Sequence, residues 1–131
     1  MSKTTKPTVL VTGASTGIGA VYADRFAKRG HDLVLVARDR AKLEELAARL
    51  RKDSGVAVDI LQADLTDSAQ LAKVEALLKE DPRIGILLNN AGASLAGTFI
   101  EQSTEDTARL IGLNTVAVAR LAGAVAPRFA K

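Results

Sequence analysis

Thr8-Val9-Leu10-Val11-Thr12-Gly13-Ala14-Ser15-Thr16-Gly17-Ile18-Gly19 changes character twice in a short distance. The β-branched apolar run up to Thr12 reads as a buried strand that stops at Gly13. From Gly17 onward the period becomes helical, with Ile18, Val21, Tyr22 and Phe26 recurring on one face and Gly30 standing just past the end. The order is strand, glycine turn, helix. Glycines at such a turn let the backbone bend sharply and approach a pyrophosphate, while the helix N-terminus offers unpaired amide donors and a favourable dipole.

The same unit repeats downstream. Leu33-Val34-Leu35-Val36 is a second apolar strand, followed by Asp39 as N-cap and by Leu43, Leu46, Ala47 and Leu50 on one helical face. Val56 to Leu61 is a third strand, and Asp67 with Gln70 forms a capping box for a helix carrying Leu71, Val74 and Leu78. Ile84 to Leu88 is the fourth strand. After a loop through Gly92 and Gly97, Ser103 and Asp106 cap a long helix with Leu110, Leu113, Ala117, Leu121 and Ala124, which Pro127 should bend or end. Near-continuous apolar strands alternating with helices predict a doubly wound α/β domain with a parallel sheet covered on both faces. Residues 1–7 read as a flexible tail and residues 8–131 as the domain.

Bulk properties exclude several classes. The 131 residues are 47% hydrophobic and 25% charged, as in one globular domain. The absence of Cys removes disulfides, thiolate metal sites and cysteine nucleophiles, and makes the cytoplasm the expected compartment. The polar start lacks the apolar core of a signal peptide, and the apolar segments read as too interrupted to span a bilayer, so no membrane partner is expected. The net charge of +3 is spread among acids such as Glu44, Glu45 and Glu75, and aromatic stacking residues are scarce, which argues against a nucleic-acid partner. The single histidine, His31, reads as a loop residue, with no cluster of ligands for a metal around it.

Thr12, Gly13, Gly17, Ile18 and Gly19 match the Thr-Gly-x-x-x-Gly-x-Gly signature of the classical short-chain dehydrogenase/reductase family. Asn89-Asn90-Ala91-Gly92, directly after the fourth strand, is similar to that family's Asn-Asn-Ala-Gly motif. The resemblance implies a Rossmann-type fold with strand order 3-2-1-4, broken off after the long helix that follows strand 4. It also implies binding of a nicotinamide cofactor at Gly13, Ser15, Thr16, Gly17, Ile18, Gly19, Asn90, Ala91 and Gly92. Asp64 matches the acidic position near the adenine ring, with a turn or capping role as the alternative. Asn114 matches the asparagine of the catalytic tetrad, read here as buried within the helix. The asparagines of the second motif have a structural role in the sheet as their alternative.

Cofactor choice turns on Arg38. A dinucleotide fold that holds NAD places an acid at the end of the second strand, whereas a 2′-phosphate requires a cation there. The position holds Ala37 followed by Arg38, with Asp39 assigned to the helix cap. The resemblance thus implies NADP(H) over NAD(H), Arg38 forking onto the phosphate and Ser15 adding a hydroxyl. Thr16 occupies the family's other basic position, leaving one cation to carry the preference.

In the resembling family a tyrosine, a lysine and a serine assist hydride transfer between the nicotinamide and a carbonyl or alcohol. The single tyrosine here, Tyr22, lies on the first helix with Phe26 four positions on, and does not match. The chain is therefore expected to hold cofactor without reducing a carbonyl by itself, its parent acting on a small carbonyl or alcohol substrate. Self-association through the fourth strand or the long helix, or homo-oligomer formation in the parent, is expected. The alternatives are a noncatalytic NADP(H)-sensing module and a packing fragment without cofactor.

Overall fold

Strands β1 (Thr8–Thr12), β2 (Leu33–Ala37), β3 (Val58–Gln62) and β4 (Ile84–Leu88) form one parallel sheet in the order β3-β2-β1-β4. The computed structural model describes residues 5–92 and 99–130; residues 1–4 of the expected tail, the loop position Gly97 and Lys131 lie outside them. Helices α1 (Gly17–Lys28), α2 (Arg40–Ser54), α3 (Ser68–Glu80), α4 (Thr104–Ile111) and α5 (Val118–Phe129) connect or follow the strands. The expected Rossmann-type order 3-2-1-4 is the one observed.

Alternation along the strands builds a core on each face. Val9, Val11, Leu33 and Leu35 point to one side, where they pack with Ala23 and Ala27 of α1 and Leu43, Ala47 and Leu50 of α2. Leu10, Val34 and Val36 point to the other, against Leu71, Val74 and Leu78 of α3 and Leu121 and Val125 of α5. β1 pairs with β2 and β4 and is buried throughout, which is why its sequence is apolar without polar alternation. β3 begins at Val58, two residues later than the sequence pattern suggested. Ala57 instead donates its N–H to the Asp32 carboxylate at 2.9 Å, outside the ladder. β4 pairs only with β1 among the described residues.

The sequence reading of α1 needs correction. Its buried residues are Gly19, Ala23 and Ala27, while Ile18 and Val21 are more than half exposed and Tyr22 is 45% exposed. The helix starts so close to the strand-turn backbone that its fully buried positions take only small side chains; of the large residues in the periodic pattern Phe26 packs partly buried against the core, while the other three face outward.

The long helix also differs from expectation. It is capped by Ser103, whose hydroxyl accepts the Asp106 N–H at 3.0 Å, but a π-helical stretch, Gly112–Ala117, separates α4 from α5. Pro127 sits in the last turn of α5, which ends at Phe129. The combined helical run Thr104–Phe129 is long and apolar enough to cross a membrane, contrary to the reading that every apolar segment is interrupted. Between residues 110 and 127 the only charge is Arg120, and it pairs with Glu75 of α3. Arg128 reaches the Leu78 carbonyl at the end of α3. The run is thus fastened along α3 by its α5 half.

At the bottom of the sheet Pro7 packs on Gly85, and its carbonyl accepts a hydrogen bond from His31 Nδ1 at 2.8 Å. His31 stacks edge-on against Phe26, so the histidine anchors the entry to β1.

Candidate functional site

Parallel strands and their helix-bearing loops leave a crevice beyond the carboxyl ends of the sheet. Here it has a volume of about 850 Å³ and is lined by the turn after β1, the ends of β2, β3 and β4, and one side of α4. That size falls within the roughly 300–1,000 Å³ common for ligand pockets.

The turn after β1 forms the floor. Gly13 adopts φ +63°, and a Cβ there would meet the Ala91 Cα at 2.9 Å. A Cβ on Gly19 would lie 2.1 Å from the Gly13 carbonyl oxygen, so no other residue fits without moving the loop. Both glycines thus serve a close approach between the β1 turn, the start of α1 and the strand that ends at Leu88. Gly13, Ser15 and Thr16 face the crevice; Gly17, Ile18 and Gly19 form the start of α1 behind it. No acidic residue occupies the first turn of α1, and Thr16 makes no side-chain cap. The N-terminal amides are left for an anion.

Thr12 stitches the floor together. Its hydroxyl accepts the Ala91 N–H at 2.9 Å and donates to the Leu88 carbonyl at 3.4 Å. Asn90 donates to the Gly13 carbonyl at 3.4 Å, and Asn89 donates to the Val118 carbonyl at 2.9 Å, tying the end of β4 to α5. Asn90, Ala91 and Gly92 also line the crevice. Asn89 is a structural tie, while Asn90 takes part in both.

Arg38 and Asp39 open onto the crevice from the end of β2. Asp39 caps α2 by accepting the Lys42 N–H at 3.1 Å, as its position before the helix led one to expect. Lys42 lines the same wall and was missed by the sequence reading. The signal was available: a residue three beyond an N-cap lies in the first helical turn, close to whatever the strand end faces. Neither Arg38 nor Lys42 is ion-paired through its side chain among the described residues.

Asp64, after β3, has its carboxylate fixed. Oδ1 accepts the Thr66 N–H at 2.9 Å and the Thr66 hydroxyl at 2.6 Å, and Oδ2 faces Arg109 of α4 at 3.4 Å. Partial burial pushes its pKa up, but the Thr66 hydrogen bonds and the charges of Arg109 and Arg38 outweigh this and hold it below the usual carboxylate value. Gln70 does not close a reciprocal box with Asp67. Its Oε1 accepts the Asp64 N–H at 2.7 Å while its amide donates to the Asp67 carboxylate, so it holds the Asp64 loop.

Asn114 lies in the π-helical stretch and is exposed, not buried as expected from its mid-helix position. The looser i→i+5 winding there swings it toward the crevice loop: a Cβ on Gly92 would stand 3.0 Å from its Oδ1. Leu110 and Leu113 were read from sequence only as part of the apolar pattern of the long helix, and Arg109 was not singled out, because nothing in local periodicity reports which side of a helix faces a distant loop.

A family model described as short chain dehydrogenase matches residues 7–131. The chain belongs to the short-chain dehydrogenase family. Among solved structures, a short-chain dehydrogenase from Sphingobium yanoikuyae in complex with NADPH is 67% identical with a TM-score of 0.93, covering 94% of this chain and 48% of that one. The bulky-bulky ketone specific alcohol dehydrogenase from Comamonas testosteroni is 56% identical with a TM-score of 0.95, covering 97% and 51% respectively. Among curated proteins, oxidoreductase UcpA of Salmonella typhimurium is 38% identical, covering 100% of this chain and 49% of its own length. The chain thus spans about half the length of these three proteins.

Proposed function

We propose that the chain is the cofactor-binding part of an NADP(H)-dependent short-chain oxidoreductase that passes hydride between the nicotinamide and a small carbonyl or alcohol. The observation that carries the reading is the pairing, in one crevice, of a Gly13 floor that excludes side chains with two cations, Arg38 and Lys42, that form no ion pair among the described residues. The residues fit the group: the cradle after β1 suits a pyrophosphate, and the two cations suit a 2′-phosphate. The NADPH held by the Sphingobium yanoikuyae relative supports the same assignment.

On this reading Gly13, Ser15 and Thr16 bind the pyrophosphate, with Gly17, Ile18 and Gly19 setting the start of α1 behind it. Arg38 and Lys42 bind the 2′-phosphate, and Asp64 accepts from the adenine amino group. Asn90, Ala91 and Gly92 border the path toward the nicotinamide, and Asn114 stands next to Gly92 as the tetrad asparagine. The bound cofactor supplies or takes the hydride. No residue of this chain matches the proton-transferring tyrosine and lysine or the serine, so turnover is assigned to the parent enzyme and not to these 131 residues. The reading places the protein in the cytoplasm and as a homo-oligomer or self-associating chain.

Isothermal calorimetry tests it. The chain should bind NADPH, and adenosine 2′,5′-bisphosphate nearly as tightly, because the groups described contact the adenosine half. Absence of NADPH binding, or a bisphosphate that binds far more weakly, overturns the assignment. NADPH oxidation dependent on a carbonyl compound, by protein of the mass of this chain, overturns the inactivity.

A further inference from the structure

Arg109 is the one side chain of α4 that forms an ion pair with the sheet side of the crevice among the described residues. α4 buries none of its residues, so its position over the crevice is not set by a packed face. The guanidinium crosses from α4 to Asp64, joining two walls that the backbone leaves separate.

The consequence lies in the acceptor capacity of Asp64. A carboxylate offers about four lone-pair positions, two on each oxygen. Both positions on Oδ1 are taken by Thr66, through its amide and its hydroxyl. Arg109 takes one on Oδ2. Among the described residues one position remains, on Oδ2, and the plane of the carboxylate is held from both ends. A group so arranged accepts a single N–H donor in a fixed direction.

We infer that Arg109 is a positioning residue for base recognition: by holding Asp64 Oδ2 it leaves one directed acceptor for the exocyclic amino group of a 6-aminopurine. The inference rests on the cofactor reading and deepens it, assigning to α4 a part in choosing the base. Without Arg109, Oδ2 has two free positions, the carboxylate turns about Oδ1, and the directed preference weakens.

The experiment compares NADPH with its 6-oxo counterpart, nicotinamide hypoxanthine dinucleotide phosphate, by calorimetry. A hydrogen bond to a charged acceptor makes the wild-type preference for the amino form roughly tenfold or more. Arg109→Met should reduce that preference severalfold, and Arg109→Lys, which keeps a donor at Oδ2, should restore most of it. Asp64→Asn should remove the preference, and adding Arg109→Met to it should change the ratio no further, as expected for residues acting as one unit. The ratio of two affinities is independent of the fraction of protein folded. An unchanged ratio in Arg109→Met overturns this inference and leaves the cofactor reading standing. A ratio that rises would mean that Arg109 serves a 6-oxo group directly, which also overturns it. Failure of the wild-type chain to bind either nucleotide overturns the cofactor reading and this inference together.

Discussion

α2 and α4 both border the crevice, yet they are held in opposite ways. α2 buries Leu43, Leu46, Ala47 and Leu50 against the sheet, ends on Gly55 in the left-handed region and is capped by Asp39. α4 buries nothing, and Ile111 at its end is 54% exposed. A wall built on packed side chains fixes the cations it carries, whereas a wall tied by a partly exposed ion pair takes its position from whatever else touches it. The contrast gives the crevice one wall fixed by packing, at α2, and one held by the Arg109–Asp64 ion pair rather than by a buried face, at α4.

The largest test of this contrast is stability. Leu50→Ala, which empties a fully buried site, should cost about 2–5 kcal/mol in urea unfolding. Ile111→Ala should cost under ~0.5 kcal/mol, as for an exposed position. A loss above ~1.5 kcal/mol at Ile111 would mean that a second copy covers α4 in solution, and sedimentation would then show a concentration-dependent mass. The same measurement checks the edge of β4 that is unpaired among the described residues, whose uncharged Ile84–Leu88 run should template self-association.

Next in size is the charge on the fixed wall. Arg38→Asp should weaken NADP(H) binding by about 1.5–3 kcal/mol more than NAD(H) binding, measured by calorimetry. Lys42→Ala, a longer and less directed contact, should cost about 0.5–1.5 kcal/mol with the same selectivity. Equal losses for both cofactors would return these side chains to solvent.

The smallest effect is the acid response. Asp24, Asp64 and Asp81 have lowered pKa values, chiefly through Lys28 for Asp24 and Arg83 for Asp81, while for Asp64 hydrogen bonds overcome the opposing burial. A carboxylate whose folded pKa lies below its unfolded one stabilises the fold above the unfolded pKa, and this is lost as pH falls through the folded value. The melting temperature should therefore be flat in this respect from neutral pH to about pH 5 and decline below about pH 4. Asp64→Asn should flatten part of that decline by lowering the neutral plateau toward the acid value, leaving the melting temperature at low pH little changed.

Strand positions and helix caps were readable because their causes are local. The apolar runs at β1, β2 and β4 and the caps Asp39 and Ser103 need only neighbours within a few residues. The motif residues were readable for a different reason, as a pattern matched whole. What escaped the sequence depended on distance between elements. The small inward face of α1 follows from its approach to the Gly13 carbonyl, and the π-helical break at Asn114 from no signal that periodicity carries. Lys42 and Arg109 became visible only once the sheet brought the ends of β2 and β3 beside α4.

The Thr12 hydroxyl has a further consequence, for the order in which the protein is made. Its partner Ala91 lies 79 residues away, so the crevice floor closes late. At typical rates of synthesis that interval is on the order of ten seconds. Throughout it β1, the strand meant for the middle of the sheet, has a neighbour on one side at most. Loop closure of this length slows folding far more than it weakens the finished fold. The nascent chain therefore carries the strand that ends up buried throughout half-paired until β4 arrives, and that period is when it most needs shielding from other chains.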